Sequence, residues 1–441
     1  MKFTNRKIWR ITYPVMLSLI LEYIIGLTDT AFLGRVGEVE LGASALGGIF
    51  YMAVFMVAFG FSVGVQILIG RRNGEKQYKQ IGPVFSQGLI FMLAVAAVMF
   101  ALSCLFSRPI LDGIIESEAV AAAAWDYVKW RSCGFFFSFI MVLFRAFYVG
   151  TTRTRILTIN SIVMVLANVG LNYVLIFGKL GVPAMGIAGA AIASSVAEMV
   201  SVVFFVVYTL RKVDWRKYRL FTFRGVGFPL LGRILSVSGW TMIQSFLSVS
   251  VWFIFFLAVE HLGERQLAVT NIVRSVSAFG FMVVSSFAST ASSLVSNQIG
   301  AGRDGEVMGL SRRIIWMSYL FVLPLMVLIA AFPSAIIRIY TDNADLVSAS
   351  VPSLIVMISS YLIAIPGFVW FNVVSGTGNT RSALLIESIA LAVYSAYVYI
   401  MVWTLKADVA VCWTAEHVYG VALLAICYAY MRRGGWKQKK I

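Results

Sequence analysis

Asp29 and Glu22 are the residues of this chain best placed to do chemistry. Both lie in the apolar stretch 13–32, YPVMLSLILEYIIGLTDTAF, which is long enough to cross a bilayer. A charge near the hydrocarbon centre costs about 2.5–3.5 kcal/mol even on the lenient insertion scale, so such residues face protein or a wet cavity rather than lipid. Seven residues, two helical turns, separate them, which puts both on one face. For Asp29 the expected chemistry is cation exchange. A carboxyl in a low dielectric holds a proton, and one ringed by oxygen ligands holds sodium. The competing reading is a helix-packing carboxylate satisfied by a hydroxyl or an arginine. Glu22 is open three ways: a second proton site, a ligand for a cationic substrate, or a hydrogen-bond partner between helices.

Further polar residues fall where apolar ones are expected. Glu198, in SSVAEMVS, lies mid-depth in a later stretch among small residues that let helices approach closely, with the same alternatives as Glu22. In INSIVMVLANVGLNYVLIF, Asn168 and Asn172 share a helical face at i, i+4, with Asn160 two turns back. Buried amides commonly bridge helices. These lie in the same half of the chain as Asp29, however, and with Ser194, four residues before Glu198, they are expected to form one polar pocket. Arg145 lies near one end of its stretch. Arg274, two turns into another, is expected to pair with a carboxylate of the other half, with substrate binding as the alternative. Glu387 is under two turns from Arg381 and is expected to snorkel or pair with it. Glu416 and His417 are read as interfacial, His261 as solvated, and the four cysteines, which have no C-x-x-C spacing, as packing residues.

Composition names the housing these residues need. The 441 residues are 60% hydrophobic and only 13% charged, outside the range of soluble globular proteins. Twelve spans are predicted, at 11–32, 44–70, 84–106, 127–148, 156–177 and 186–210, then 235–259, 267–299, 314–332, 351–374, 383–405 and 411–431. Continuous runs of this kind are not barrel strands, which alternate every second residue. The basic start MKFTNRKIWR runs into a full span with internal acids, so no cleavable signal peptide is expected. The net charge of +16 is not a nucleic-acid signature, because basic residues crowd alternate loops. Arg71, Arg72, Arg153, Arg155, Arg224, Arg312, Lys439 and Lys440 fall on one side; Glu38, Glu40, Asp112, Glu116, Glu264 and Asp345 fall on the other. The positive-inside rule then places both termini in the cytoplasm, with the chain in the plasma (inner) membrane, which requires an even number of spans.

The basic stretch 211–233 divides the chain into two predicted lobes, 1–220 and 221–441. A shift of 226 residues aligns them, bringing Gly37 onto Gly263, Glu38 onto Glu264, Gly74 onto Gly300, Gly150 onto Gly376 and Arg155 onto Arg381. Two six-span halves of like orientation imply a pseudo-twofold axis along the membrane normal, the parallel-repeat plan of many transporters. Under the same shift Asp29 falls on Phe255, Glu22 on Ser248, Asn168 on Tyr394 and Asn172 on Val398. The polar chemistry is therefore expected to concentrate in the first half.

Three stretches carry a family resemblance: P-x(14)-D-T-A-F-L-G-R-x-G from Pro14, G-x-x-x-G-x-x-x-L-I-x-R-x-x-G-E around Arg72, and N-x-x-x-N-Y-x-L-I-F-G-x-x-G-x-P from Asn168. With the paired G-T-x-x-T-R elements they resemble the multidrug and toxic compound extrusion (MATE) family over essentially all twelve spans. The resemblance implies an all-α polytopic membrane protein, two six-helix bundles forming a V-shaped cavity, and export of hydrophobic cations by H⁺ or Na⁺ antiport. By position it makes Asp29 the cation-coupling carboxylate, with Asn168, Asn172 and Ser194 around it. This polar site is closer to DinF-like than to NorM-like members, although Asn172 stands where DinF-like members carry a second aspartate. The C-lobe carboxylates of NorM-like and eukaryotic members are absent: Ser248 stands near the seventh-helix glutamate position and Asn379 near the tenth-helix aspartate. Glu22 and Glu198 are expected to compensate.

The function expected is secondary active efflux of small amphipathic or cationic compounds. It would need no cofactor beyond the coupling ion, H⁺ in preference to Na⁺ because hard anionic ligands are few. A monomer carrying both halves would suffice, with membrane lipid around it and no nucleic-acid partner. The alternative within the wider superfamily is a flippase of a lipid-linked precursor, against which stand the twelve spans and their few arginines. A membrane enzyme would need a catalytic constellation that two shallow histidines do not supply.

Overall fold

The structure, a computed structural model, describes residues 3–438 apart from 116, 223, 224 and 226; Glu116, Arg224, Lys439 and Lys440 of the loop-charge pattern lie outside the described residues. The first half comprises α1 (Asn5–Leu33), α2 (Glu38–Gly74), α3 (Ile81–Ile114), α4 (Glu118–Arg131), α5 (Gly134–Gly150), α6 (Arg155–Phe177), α7 (Gly186–Lys212) and the one-turn α8 (Trp215–Tyr218). The second comprises α9 (Phe228–Glu260), α10 (Glu264–Gly300), α11 (Val307–Ala331), the short α12 (Pro333–Ile337) and α13 (Ala344–Gly376). It continues through α14 (Thr380–Tyr399), the short α15 (Val409–Cys412) and α16 (Ala415–Arg433). Eleven helical stretches among the described residues are long and apolar enough to cross a bilayer, and α4 with α5 make a twelfth span bent by 51°. In hydrocarbon only a helix satisfies every backbone group within its own segment, so an apolar chain of this kind folds as helices.

The repeat is visible in the elements themselves. Both α2 and α10 run 37 residues, and single 3₁₀ turns follow them at Tyr78–Gln80 and Asp304–Glu306. Each of these starts 226 residues after its counterpart, as do the helix ends at Gly150 and Gly376. Those two glycines do the same work. A Cβ on Gly150 would stand 3.0 Å from the carbonyl oxygen of Gln66, and one on Gly376 would stand 2.5 Å from that of Ser292. Gln66 and Ser292 are again related by the same shift, so one close helix approach is built twice.

One element departs from the repeat. The fourth span, predicted as a single helix over 127–148, is two helices that meet at Ser132–Cys133, whereas its counterpart α13 is continuous even through Pro352 and Pro366. Where the first half has Arg131 and Gly134, the second has Met357 and Ser360.

The helices pack into two units, 17–242 and 1–16 with 243–441. Both α1 and α9 contribute residues to each unit. In the first unit α2 lies against α4 and α5, and α7 lies against α4, α5 and α6. In the second, α13 packs between α10 and α16, with α14 against α16. The start of α1 is fixed in this second unit by Trp9, whose ring stacks on Phe321 at 4.1 Å, and by Arg313, which donates to the Phe3 carbonyl at 2.8 Å.

Candidate functional site

Asp29 leaves α1 toward α6 and α7 and ends in a ring of directed hydrogen bonds. Asn172 donates through Nδ2 to Asp29 Oδ1 at 2.5 Å and to Asn168 Oδ1 at 3.1 Å. Ser194 donates to Asp29 Oδ2 at 2.9 Å, and Asn168 Nδ2 donates to Ser194 Oγ at 3.1 Å. Every donor in the ring thus points, directly or in one step, at the carboxylate. Helical spacing puts both asparagines on one face of α6. Gly189 sets how near α7 comes: a Cβ there would stand 2.8 Å from the Leu175 carbonyl. The asparagines are fully buried and Asp29 partly so. Among the described residues no Lys, Arg or His lies within ion-pair distance of Asp29. Asn172 Oδ1 is buried without a donor. Thr28 and Thr30 turn away and bond to carbonyls of their own helix.

The other acids of this unit lie in separate networks. Glu22 accepts from Ser18 at 2.9 Å and pairs with Arg145 of α5 at 3.1 Å, with Ser161 of α6 beside it. Glu198 is held by both guanidinium nitrogens of Arg131, at 2.8 and 2.5 Å, and by the Tyr51 hydroxyl at 2.9 Å. The Arg131 guanidinium also lies over the Tyr51 ring, 3.5 Å from its centre. Asn160 stays apart from the Asp29 ring and exchanges hydrogen bonds with Ser201. The expected pocket therefore contains Asp29, Asn168, Asn172 and Ser194 but neither Asn160, Glu22 nor Glu198.

Arg131 and Tyr51 were not legible as partners of Glu198. Arg131 reads as the edge of a span, although a mid-span glutamate demands a cation. The break in the fourth span brings it inside. Arg131 is the last residue of α4 and Gly134 the first of α5, and a Cβ on Gly134 would stand 2.2 Å from Arg131 Nη1 and 2.6 Å from Glu198 Oε2. Ser195, next to Ser194, lies 2.9 Å from the Ala191 carbonyl of its own helix and 3.3 Å from the Trp130 carbonyl at the break. One turn of α7 thus touches both Asp29 and the bend.

In the second unit Glu387 corrects expectation. It neither snorkels nor pairs with Arg381; it is 3% exposed, and its Oε1 lies 2.5 Å from Ser248 Oγ and 3.2 Å from the Tyr419 hydroxyl. Pointing from α14 across to α9 and α16, it has no route to a helix end. Glu416 is partly buried and accepts from Tyr394 at 3.3 Å. Arg274 lies over the rings of Trp252 and Phe256, 5.8 and 5.2 Å from their centres. Asn379 donates to the Tyr430 hydroxyl.

A doubled six-span plan with a directed polar ring inside one half defines a membrane transporter. Comparison with known proteins agrees. A family model described as MatE matches residues 14–174 and again 241–401, once in each half. The chain is 26% identical over 417 residues to the "Probable multidrug resistance protein NorM" of Thermotoga maritima, covering 92% of this chain and 85% of that one. It is 26% identical over 404 residues to the protein of the same name from Synechocystis, covering 88% and 86%. The fold matches a MOP superfamily transporter from Pyrococcus furiosus with a TM-score of 0.90 at 17% identity, over the whole of both chains. It matches the outward-facing conformation of a multidrug resistance MATE family transporter with 0.89 at 18%, again over both whole chains. The chain belongs to the MatE family of multi-pass membrane transporters and is not an enzyme.

Proposed function

We propose that the protein is a secondary active exporter of amphipathic organic cations, driven by proton entry and coupled through Asp29. The observation that carries this reading is the Asp29 ring: a carboxylate with no cation within ion-pair distance among the described residues, bonded by Asn172 and Ser194, with Asn168 bonded to both of these. Such a group exchanges a proton at the cost of rearranging the ring. Once protonated, one Asp29 oxygen becomes a donor, and Asn172 Oδ1, which has none, becomes its acceptor when the amide turns over. The ring then differs between the two protonation states, and a ligand that binds one arrangement better shifts the balance between them.

Protons fit this ring better than sodium. A sodium ion needs converging oxygen lone pairs, whereas Asn172 and Ser194 present hydrogens to the carboxylate. No cluster of three His, Cys, Asp or Glu is found among the described residues. Asn168 and Ser194 support the likeness to DinF-like members, and the relatives' name supports organic substrates. Lipid flipping finds no support in the span arginines Arg131 and Arg145, both engaged by glutamates, nor in Arg274, which lies over the rings of Trp252 and Phe256. We place the monomer in the plasma membrane with both termini cytoplasmic.

The test is efflux of an organic-cation dye from vesicles under an imposed pH gradient, with and without sodium. Wild type follows the proton gradient, and D29N, folded but uncoupled, does not. Dye efflux driven by sodium alone would overturn proton coupling, and a failure of either gradient to move any of a panel of cations would overturn the substrate class.

A further inference from the structure

The repeat relates two serine–glutamate pairs in opposite sense. Glu22 of α1 lies beside Ser161 of α6, and the shift of 226 residues carries this pair onto Ser248 of α9 and Glu387 of α14. The acid has changed helix while the pair has stayed in place. Its counter-ion has not followed: Arg145, which neutralises Glu22, corresponds to Phe371. Among the described residues no Lys, Arg or His lies within ion-pair distance of Glu387.

We infer that Glu387 is a proton-binding site of the second unit, occupied in this structure's hydrogen-bond arrangement as a neutral acid donating to Ser248. The donor count leads there. Ser248 Oγ lies 2.9 Å from the Gln244 carbonyl, which only accepts, and 2.5 Å from Glu387 Oε1. A serine hydroxyl has one hydrogen. Both contacts are full two-centre hydrogen bonds when Ser248 donates to Gln244 and Glu387 supplies the hydrogen between Oε1 and Oγ. The other oxygen agrees: Oε2 is buried with no partner. An unpartnered carbonyl of a neutral acid costs far less than an unpartnered end of a buried carboxylate.

The groups facing Glu387 add no positive charge. From α9 come Ser248 and the Gln244 side chain; from α16 come Tyr419 and, close by, the Cys427 thiol. Beyond Tyr419 stands Tyr394, the rings 5.9 Å apart, and Tyr394 donates to Glu416, the other acid of this cluster. Two acids flanking one tyrosine pair without a cation repel each other if both ionise, a second reason for a proton here. A metal ion is a poorer occupant, since the hydroxyls are already committed to carbonyl and carboxyl oxygens.

This inference does not depend on the Asp29 reading, and its test is blind to transport. Infrared spectra of the full-length protein in detergent at neutral pH are compared between D29N and D29N/E387Q. The expected difference is loss of one protonated-carboxyl carbonyl band in D29N/E387Q, with no loss of carboxylate stretches. If carboxylate stretches disappear instead, Glu387 is ionised and the inference fails. Should E387Q fold poorly, ¹³C-carboxyl glutamate incorporated into D29N/E416Q gives the same reading without that substitution. A protonated-acid band that moves with the label supports the site, and no such band overturns it.

Discussion

At the level of single residues, what separates the in-span acids is their partners. Glu22 and Glu198 have arginines, whereas Asp29 has amides and a hydroxyl. The difference predicts opposite mutational behaviour. Arg131→Ala leaves Glu198 a buried charge with only Tyr51 to hold it, and should cost about 3–5 kcal/mol of folding stability. Arg131→Gln combined with Glu198→Gln should recover most of that loss, which a double-mutant cycle on thermal unfolding in detergent reads directly. Ser194→Ala removes one donor from Asp29 and strands Asn168 Nδ2, at a cost of about 1–3 kcal/mol. Efflux by this variant should fall yet still follow the proton gradient, unlike D29N; loss of gradient dependence would make Ser194 part of the coupling group itself. Asp29, Asn168, Asn172 and Ser194 could be read from sequence because their types and spacing are improbable in an apolar helix. Arg131 could not, because its burial depends on a helix break that hydropathy does not register. Nor could the setting of Glu387, since helical spacing does not say which neighbouring helix a side chain meets.

At the level of helices, the chain uses missing Cβ atoms to set distances. Gly150 and Gly376 perform one task in two halves, but the clearance differs. Gly376→Ala meets a backbone carbonyl at 2.5 Å and must move α13 against α10. It should cost about 1–3 kcal/mol and exceed Gly150→Ala, which meets its nearest carbonyl at 3.0 Å. Equal melting temperatures for the two variants would refute that ranking. The broken fourth span is the element the repeat does not explain. Its two helices meet where Arg131 reaches Glu198 and where Ser195 reaches the Trp130 carbonyl, so packing against α7 holds the bend. Span number and helix class were plain from apolar run length. The break was not, because Ser132 and Cys133 are ordinary residues for a helix and neither is a proline.

Across the whole molecule, the 226-residue repeat is legible in the sequence because loop motifs carry it, and the same family model matches each half. Packing assigns residues of α1 and α9 to both units, a consequence of long helices that no loop composition records. The loop charges predict that impermeant thiol reagents label cysteines placed at the exposed positions 76 and 305 only from the cytoplasmic side, and one placed at the exposed position 264 only from outside. Labelling of all three from one side would reverse or break the assigned topology.

The central claim is that Asp29 carries the exchanged proton. Its most direct measurement is proton release when purified protein in weakly buffered detergent binds a cationic substrate. Wild type is expected to release about one proton more per bound cation than D29N, since substrate and proton favour different states of the ring. Equal release by the two proteins, with substrate still bound by both, would contradict it.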